Sequence, residues 1–182
     1  MHRPDKARIF FALWPDKPTQ KALHGIASQY ASTYKARAMK ANTLHITLLF
    51  LGDVERKRLP LLIEAAGKVS QPAFKLILDQ LSFWPRIKLT CATMQKPEPA
   101  LNQLITSLKE ALTPLGFVFD NKPYIMHVTL LRNVMNMLAT QPITPVDWDA
   151  NTFVLVESTL SKQGSSYQIL EKWSLTPTPN AE

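Results

Sequence analysis

His45-Ile46-Thr47-Leu48-Leu49 recurs 82 residues later (127 − 45 = 82) as His127-Val128-Thr129-Leu130-Leu131. The chain has only four histidines, at positions 2, 24, 45 and 127. Two of them open matching pentapeptides, so chance is a poor explanation for the repeat. Each copy lies in an apolar, β-branched run, which predicts a strand. On a strand, residues two apart share a face. Each copy therefore presents an imidazole and a hydroxyl on one side. Ile46 or Val128, and the leucine after each threonine, point into the opposite layer. Two such strands facing one cleft would gather two histidines and two threonines around one small group.

Those groups suit a phosphodiester. Opening a cyclic phosphate needs a base to activate water and an acid to protonate the leaving sugar oxygen. Histidine can serve as either near neutral pH. Threonine hydroxyls can hydrogen-bond the non-bridging oxygens, where charge grows in the transition state. The chemistry requires no metal and no cofactor, and no acidic cluster adjoins either motif to hold a metal. His2 and His24 lack such context and read as surface residues.

Outward from the motifs, the chain alternates short strands and helices. Ala7–Trp14 and Thr43–Leu51 read as strands, the second stopped by Gly52–Asp53, with helical patterns at Pro18–Ser32 and after that stop to about Val69. Phe74–Leu81 and Ile87–Met94 read as strands joined near Trp84–Pro85–Arg86. Ala100–Leu112 is amphipathic, with Leu101, Leu104, Ile105, Leu108 and Leu112 at helical spacing. Phe117–Phe119 and Tyr124–Leu131 read as strands. Met135–Asp149 has two prolines and no clear period, which predicts a loop. Asn151–Ser161 and Ser166–Leu175 form an expected hairpin around Gln163–Gly164–Ser165, with a frayed tail from Pro177. Hairpins without regular βαβ alternation predict an α+β fold with antiparallel sheets, in one domain over residues 1–182.

The composition narrows the class. At 182 residues and 46% hydrophobic the chain can bury a core without staples. A net charge of +7 suits a polyanionic partner such as nucleic acid. The single cysteine, Cys91, excludes an internal disulfide and reads as a small buried residue. The only early apolar run, Ile9–Trp14, is too short for a signal core or a membrane span. A cytoplasmic protein is expected, with no membrane partner and a monomeric state.

Other residues stand near the motifs. Arg132 is five residues beyond His127, so strict alternation puts it on the other face. A bulge could return it to a phosphate, or it could be a solvated strand end. Tyr167 and Trp84 could stack on a base or simply pack. Phe10 and Phe11 alternate on one strand, so one faces the core and the other a cleft. Phe11 is the candidate for substrate contact.

With these residues in hand, the sequence resembles the two-histidine (2H) phosphoesterases, and among them the bacterial and archaeal RNA 2′,3′-cyclic phosphodiesterases, also called 2′-5′ RNA ligases. The hallmark is a pair of His-x-Thr-x motifs, here His45 to Leu48 and His127 to Leu130. Arg8 to Leu13, Asn42 to Asp53 and Tyr167 to Trp173 also resemble the family. Met126, Cys91 and Trp84-Pro85 depart from its usual pattern.

The resemblance implies a bilobal α+β fold, with one motif from each pseudo-symmetric lobe facing a central groove. It implies that His45 is the general acid, that His127 is the base, and that Thr47 and Thr129 hold the phosphate. It implies that Arg132 and Tyr167 adjoin the substrate, an RNA end whose cyclic phosphate opens to a 2′-phosphate. Other 2′-linked or small cyclic nucleotides, reversible ligation, a non-catalytic RNA-end binder and a metal protein are the competing readings.

Overall fold

The computed structural model describes residues 5–119, 122–135, 140–161 and 164–177. Its strands are β1 (Lys6–Leu13), β2 (Arg37–Ala38), β3 (Ile46–Glu55), β4 (Phe74–Trp84), β5 (Leu89–Thr93), β6 (Val128–Arg132), β7 (Gln141–Ala150), β8 (Thr152–Ser161) and β9 (Gly164–Ser174). The helices are α1 (Lys17–Tyr34), α2 (Leu59–Gly67) and α3 (Pro99–Leu112). Asp16 caps α1 by accepting from the Thr19 amide at 2.9 Å, and Lys35 ends it in a left-handed turn at φ 49°. The five apolar residues at helical spacing in α3 are all buried.

The strands form one antiparallel sheet in the order β7-β4-β5-β6-β3-β1-β8-β9, with β2 beside β6. It divides at its centre. On one side stand β3, β1, β8 and β9, and on the other β6, β5, β4 and β7. The two motif strands meet there through a single register pair, Ile46 with Val128. The helices cross over. α1, which follows β1, packs on β6 and β7, while α3, which follows β5, packs on β3. Each half thus covers part of its partner's sheet.

The two halves repeat down to the residue. On β3, Ile46 pairs with Leu13 and Thr47 with Ala12, but Phe11 opposes Leu49, leaving Leu48 as an extra residue. On β6, Val128 pairs with Ala92 and Thr129 with Cys91, but Thr90 opposes Leu131, leaving Leu130 as the extra residue. Each motif therefore carries a β-bulge directly after its threonine. Such a bulge breaks the two-residue alternation. That is why both leucines of each Leu-Leu pair are buried.

β1 is apolar on both faces. Ile9, Phe11 and Leu13 enter the main core. Phe10 and Ala12 join Val154 and Val156 in a small second cluster, edged by Trp14 and Tyr167. This second cluster floors one side of the groove.

Four sequence expectations change, the first being the stop at Gly52–Asp53, through which β3 runs on to Glu55. Residues 141–150 are a strand, not a loop. β7 lies at the sheet edge, where Pro142 and Pro145 are tolerated. Its buried Val146, Trp148 and Ala150 keep a two-residue period. Phe117–Phe119 forms no strand. Phe117 instead packs under the Arg58 guanidinium, 4.7 Å from its ring centre. The second motif strand begins at Val128, not Tyr124. His2, Gln163 of the expected hairpin turn, residues 136–139 of the expected loop and the tail from 178 lie outside the described residues.

Candidate active site

A cavity of about 230 Å³ opens at the junction of β3 and β6, lined by His45, Thr47, His127, Thr129, Arg132 and Tyr167 among others. The antiparallel alignment about Ile46 and Val128 explains the grouping. One residue away in each direction, His45 comes opposite Thr129 and Thr47 opposite His127. Each imidazole thus faces the other strand's hydroxyl.

Both histidines sit just outside their strands and are held the same way. His45 Nδ1 lies 2.8 Å from the Thr43 carbonyl, and His127 Nδ1 lies 2.9 Å from the Ile125 carbonyl. A carbonyl only accepts, so each Nδ1 must carry the proton. The neutral ring then presents an unprotonated Nε2, and the charged ring presents an Nε2–H donor. This is a base or an acid held in one orientation.

The surroundings of the two rings differ. His45 is packed among Phe10 at 5.1 Å, Tyr167 at 5.0 Å and Trp14, whose ring stacks on it at 5.1 Å with a 1° interplanar angle. Burial pushes its pKa down to about 4, aided by the nearby positive charges of His127 and Arg132, while the Thr43 carbonyl opposes the shift. In the free protein at neutral pH, His45 is therefore uncharged. His127 lies against Trp84, their ring centres 4.6 Å apart.

Arg132 reaches the cavity because of the Leu130 bulge. With that residue inserted, Thr129 and Arg132 are three apart yet share the groove face. Tyr167 borders the same cavity. Phe11 does not. It is fully buried against Trp173, which also stacks on Phe153, and it is Phe10 that touches His45. The expectation for Phe11 is corrected by one residue. Its face of β1 belongs to the main core.

Sequence reasoning passed over three participants. Trp14 ends the apolar run of β1, and nothing in its spacing marks it. The half-buried Tyr124 donates its hydroxyl to the Thr47 carbonyl at 2.8 Å, tying the segment before His127 to the opposite motif. His24 is not a free surface residue. Its Nδ1 donates to the Met39 carbonyl at 3.1 Å, fastening α1 to the segment before the first motif.

Cys91 is buried as expected. Burial pushes its thiol up to about 12, opposed by a hydrogen bond with Thr129 and by the charge of Arg132. Among the described residues, no three His, Cys, Asp or Glu side chains converge on a point where they could hold a metal ion.

A family model described as LigT-like phosphoesterase matches residues 13–90. The RNA 2′,3′-cyclic phosphodiesterase of Escherichia coli K12 is 31% identical over 172 residues, covering 93% of this chain and 97% of the relative. The chain belongs to the LigT-like phosphoesterase family.

Other LigT-like phosphoesterases support the placement. The RNA 2′,3′-cyclic phosphodiesterase of Archaeoglobus fulgidus is 29% identical over 127 residues, covering 69% of this chain and 72% of the relative. The crystal structure of E. coli LigT complexed with 3′-AMP superposes with a TM-score of 0.84 at 28% identity, covering 94% of this chain and 99% of that one. The α+β fold expected from the sequence is thus the fold of the LigT-like phosphoesterases, and this chain is a member with both motifs intact.

Proposed function

We propose that this protein hydrolyses 2′,3′-cyclic phosphates at RNA ends to 2′-phosphates, using His45 and His127 as its acid–base pair. The observation that carries the reading is the matched mounting of the two imidazoles. Both Nδ1 atoms are committed to backbone carbonyls, and both rings line one cavity with Thr47, Thr129 and Arg132. Water attacks phosphorus as one imidazole takes its proton. The P–O3′ bond breaks as the other imidazole protonates the departing O3′. The threonine hydroxyls and Arg132 hold the non-bridging oxygens, where negative charge accumulates. The names of the relatives and the 3′-AMP bound to E. coli LigT support a nucleotide substrate. Ligation through a 2′-5′ bond is the same displacement with a 5′-hydroxyl in place of water, and cleavage of that bond is its reverse.

His45 as acid and His127 as base remains our first assignment. It requires the bound phosphate to restore the proton affinity that burial removes from His45. The sign is right, because an anion offsets the repulsion from His127 and Arg132. The low proton affinity of free His45 favours the reverse assignment as the second reading. A p-nitrophenyl phosphodiester distinguishes them, since p-nitrophenolate leaves without a proton. The variant that lacks the acid keeps activity on it, and the variant that lacks the base does not.

The defining test uses a short RNA with a 2′,3′-cyclic end, in the presence of EDTA. We expect a 2′-phosphate product, with nearly all turnover lost in His45→Ala and in His127→Ala. An intact cyclic end in the wild type overturns the reading. Compartment is likewise an expectation. Among the described residues no helix is long and apolar enough to cross a membrane.

A further inference from the structure

The groove continues from the histidine pair in two directions, and the two arms differ in chemistry. Toward Trp84 it is lined largely by apolar and aromatic side chains, with Lys109 and Lys122. Toward β8 and β9 it opens into a second cavity of about 410 Å³, bordered by Arg8, Arg37, Arg132, Ser158, Ser165 and Tyr167 among others. Among the described residues, no carboxylate lines that second cavity, and none of its three arginines is ion-paired.

The arrangement of two of these arginines is unfavourable by itself. β2 is only two residues long, and it pairs Arg37 directly opposite Arg132 on β6. Directly opposed like charges on an antiparallel pair are destabilising. β2 nevertheless occupies the slot beside β6 that β3 leaves after its single register pair. It is pinned there by the Met39 amide, which donates to the Leu130 carbonyl at 2.9 Å. Arg8 adds a third cation from β1, its guanidinium 4.6 Å from the Phe50 ring centre, and it faces Ser158 across the β1–β8 ladder and Asp53 across the β1–β3 ladder. Three cations border one cavity whose lining, among the described residues, holds no carboxylate, and the exposed Asp53 opposite Arg8 makes no ion pair with it. That is the pattern of an anion site.

We propose that this arm binds a second phosphate, the phosphodiester joining the terminal nucleotide to the one before it, with Arg37 and Arg8 as its ligands. The proposal rests on the RNA-end reading above, and it names which substrates that site prefers. The central cavity already has threonines and Arg132 for the reacting phosphate. Arg37 lies beside Arg132, farther along the same arm. An RNA chain carries its next phosphate one nucleotide away, so a strand laid along this arm delivers an anion to the two remaining arginines. A nucleoside 2′,3′-cyclic phosphate has no such group and leaves them unpaired.

The test compares a nucleoside 2′,3′-cyclic phosphate with a dinucleotide ending in the same group. The wild type is expected to favour the dinucleotide by about tenfold or more in kcat/KM, the worth of a charge-assisted hydrogen bond. The preference should sit in KM, as uniform binding does. Its salt dependence should steepen by a slope of about 0.7 per added phosphate contact on a single strand.

Arg37→Gln should shrink the ratio, and Arg8→Gln with Arg37→Gln should bring it near one. Arg37→Lys, which keeps the charge but loses the fork, should retain part of it. Equal kcat/KM for the two substrates in the wild type, or an undiminished preference in the double variant, overturns the proposal. Binding of a 3′-phosphorylated dinucleotide against a 3′-mononucleotide separates the two readings without turnover. Tighter dinucleotide binding that is lost in Arg37→Gln, with cyclic ends left intact, removes the hydrolase reading and keeps the second phosphate site. Equal binding removes the site whatever the activity.

Discussion

Acidification from pH 7 to pH 5 destabilises the fold through His45 by about 2 kcal/mol. The sign follows from burial. The ring titrates at about 4 in the folded protein and near 6.5 when unfolded. Between those values the unfolded chain binds the proton and the folded chain does not. Stability from this residue is therefore fully present above the unfolded pKa, and it is lost as pH falls toward the folded one. Integrating the linkage relation between the two pH values gives that figure. Carboxylates such as Asp16 and Glu64, whose pKa values are lowered by hydrogen bonds, add their own losses mostly at lower pH. The assay must isolate His45. Urea unfolding of the wild type and of His45→Asn, each at both pH values, gives the difference of differences. The asparagine amide can still donate to the Thr43 carbonyl but does not titrate. The wild type should lose about 2 kcal/mol more than the variant. Equal losses, within about 0.5 kcal/mol of extrapolation error, would refute the claim that burial in the aromatic cage holds His45 uncharged.

Three further outcomes test the site. Trp14→Ala removes the ring stacked on His45, so the His45 titration followed by proton NMR should move up toward the ordinary histidine value. Tyr124→Phe deletes the bond to the Thr47 carbonyl. It should lower stability by about 1 kcal/mol, and by up to about 3 kcal/mol if that carbonyl stays dry, with a parallel fall in kcat/KM. The Cys91 thiol, buried and pushed up to about 12, should ignore a thiol reagent such as DTNB in the native protein at neutral pH and react at once in denaturant.

What the sequence revealed and what it concealed have separate physical origins. The paired motifs, the α3 stripe and the final hairpin were legible because each rests on a local period. The groove-facing histidines and threonines followed from residues two apart sharing a strand face. Arg132 did not follow, because an inserted leucine shifts the phase of β6 between it and Thr129. Phe10 and Phe11 could not be separated by pattern, since β1 buries both faces. β7 was hidden by its prolines, which an edge strand tolerates. Trp14 and Tyr124 act across the fold, on His45 and on the Thr47 carbonyl. No local signal encodes such contacts. β2 is too short to carry any period at all.

The lone pairing of Ile46 with Val128 has a mechanical consequence. The two imidazoles ride on separate halves, yet their mounts flank adjacent strands of one continuous sheet. The span between them is therefore gauged by the backbone, through the strand spacing of about 4.8 Å and a two-residue diagonal offset, rather than by side-chain packing. Core substitutions deform packing readily, but they scarcely alter that spacing, which hydrogen bonding fixes throughout a sheet. The jaws of this caliper are thus set by the backbone rather than by the side chains around it. Variation in the surrounding walls can reshape the groove without changing the distance between the two rings.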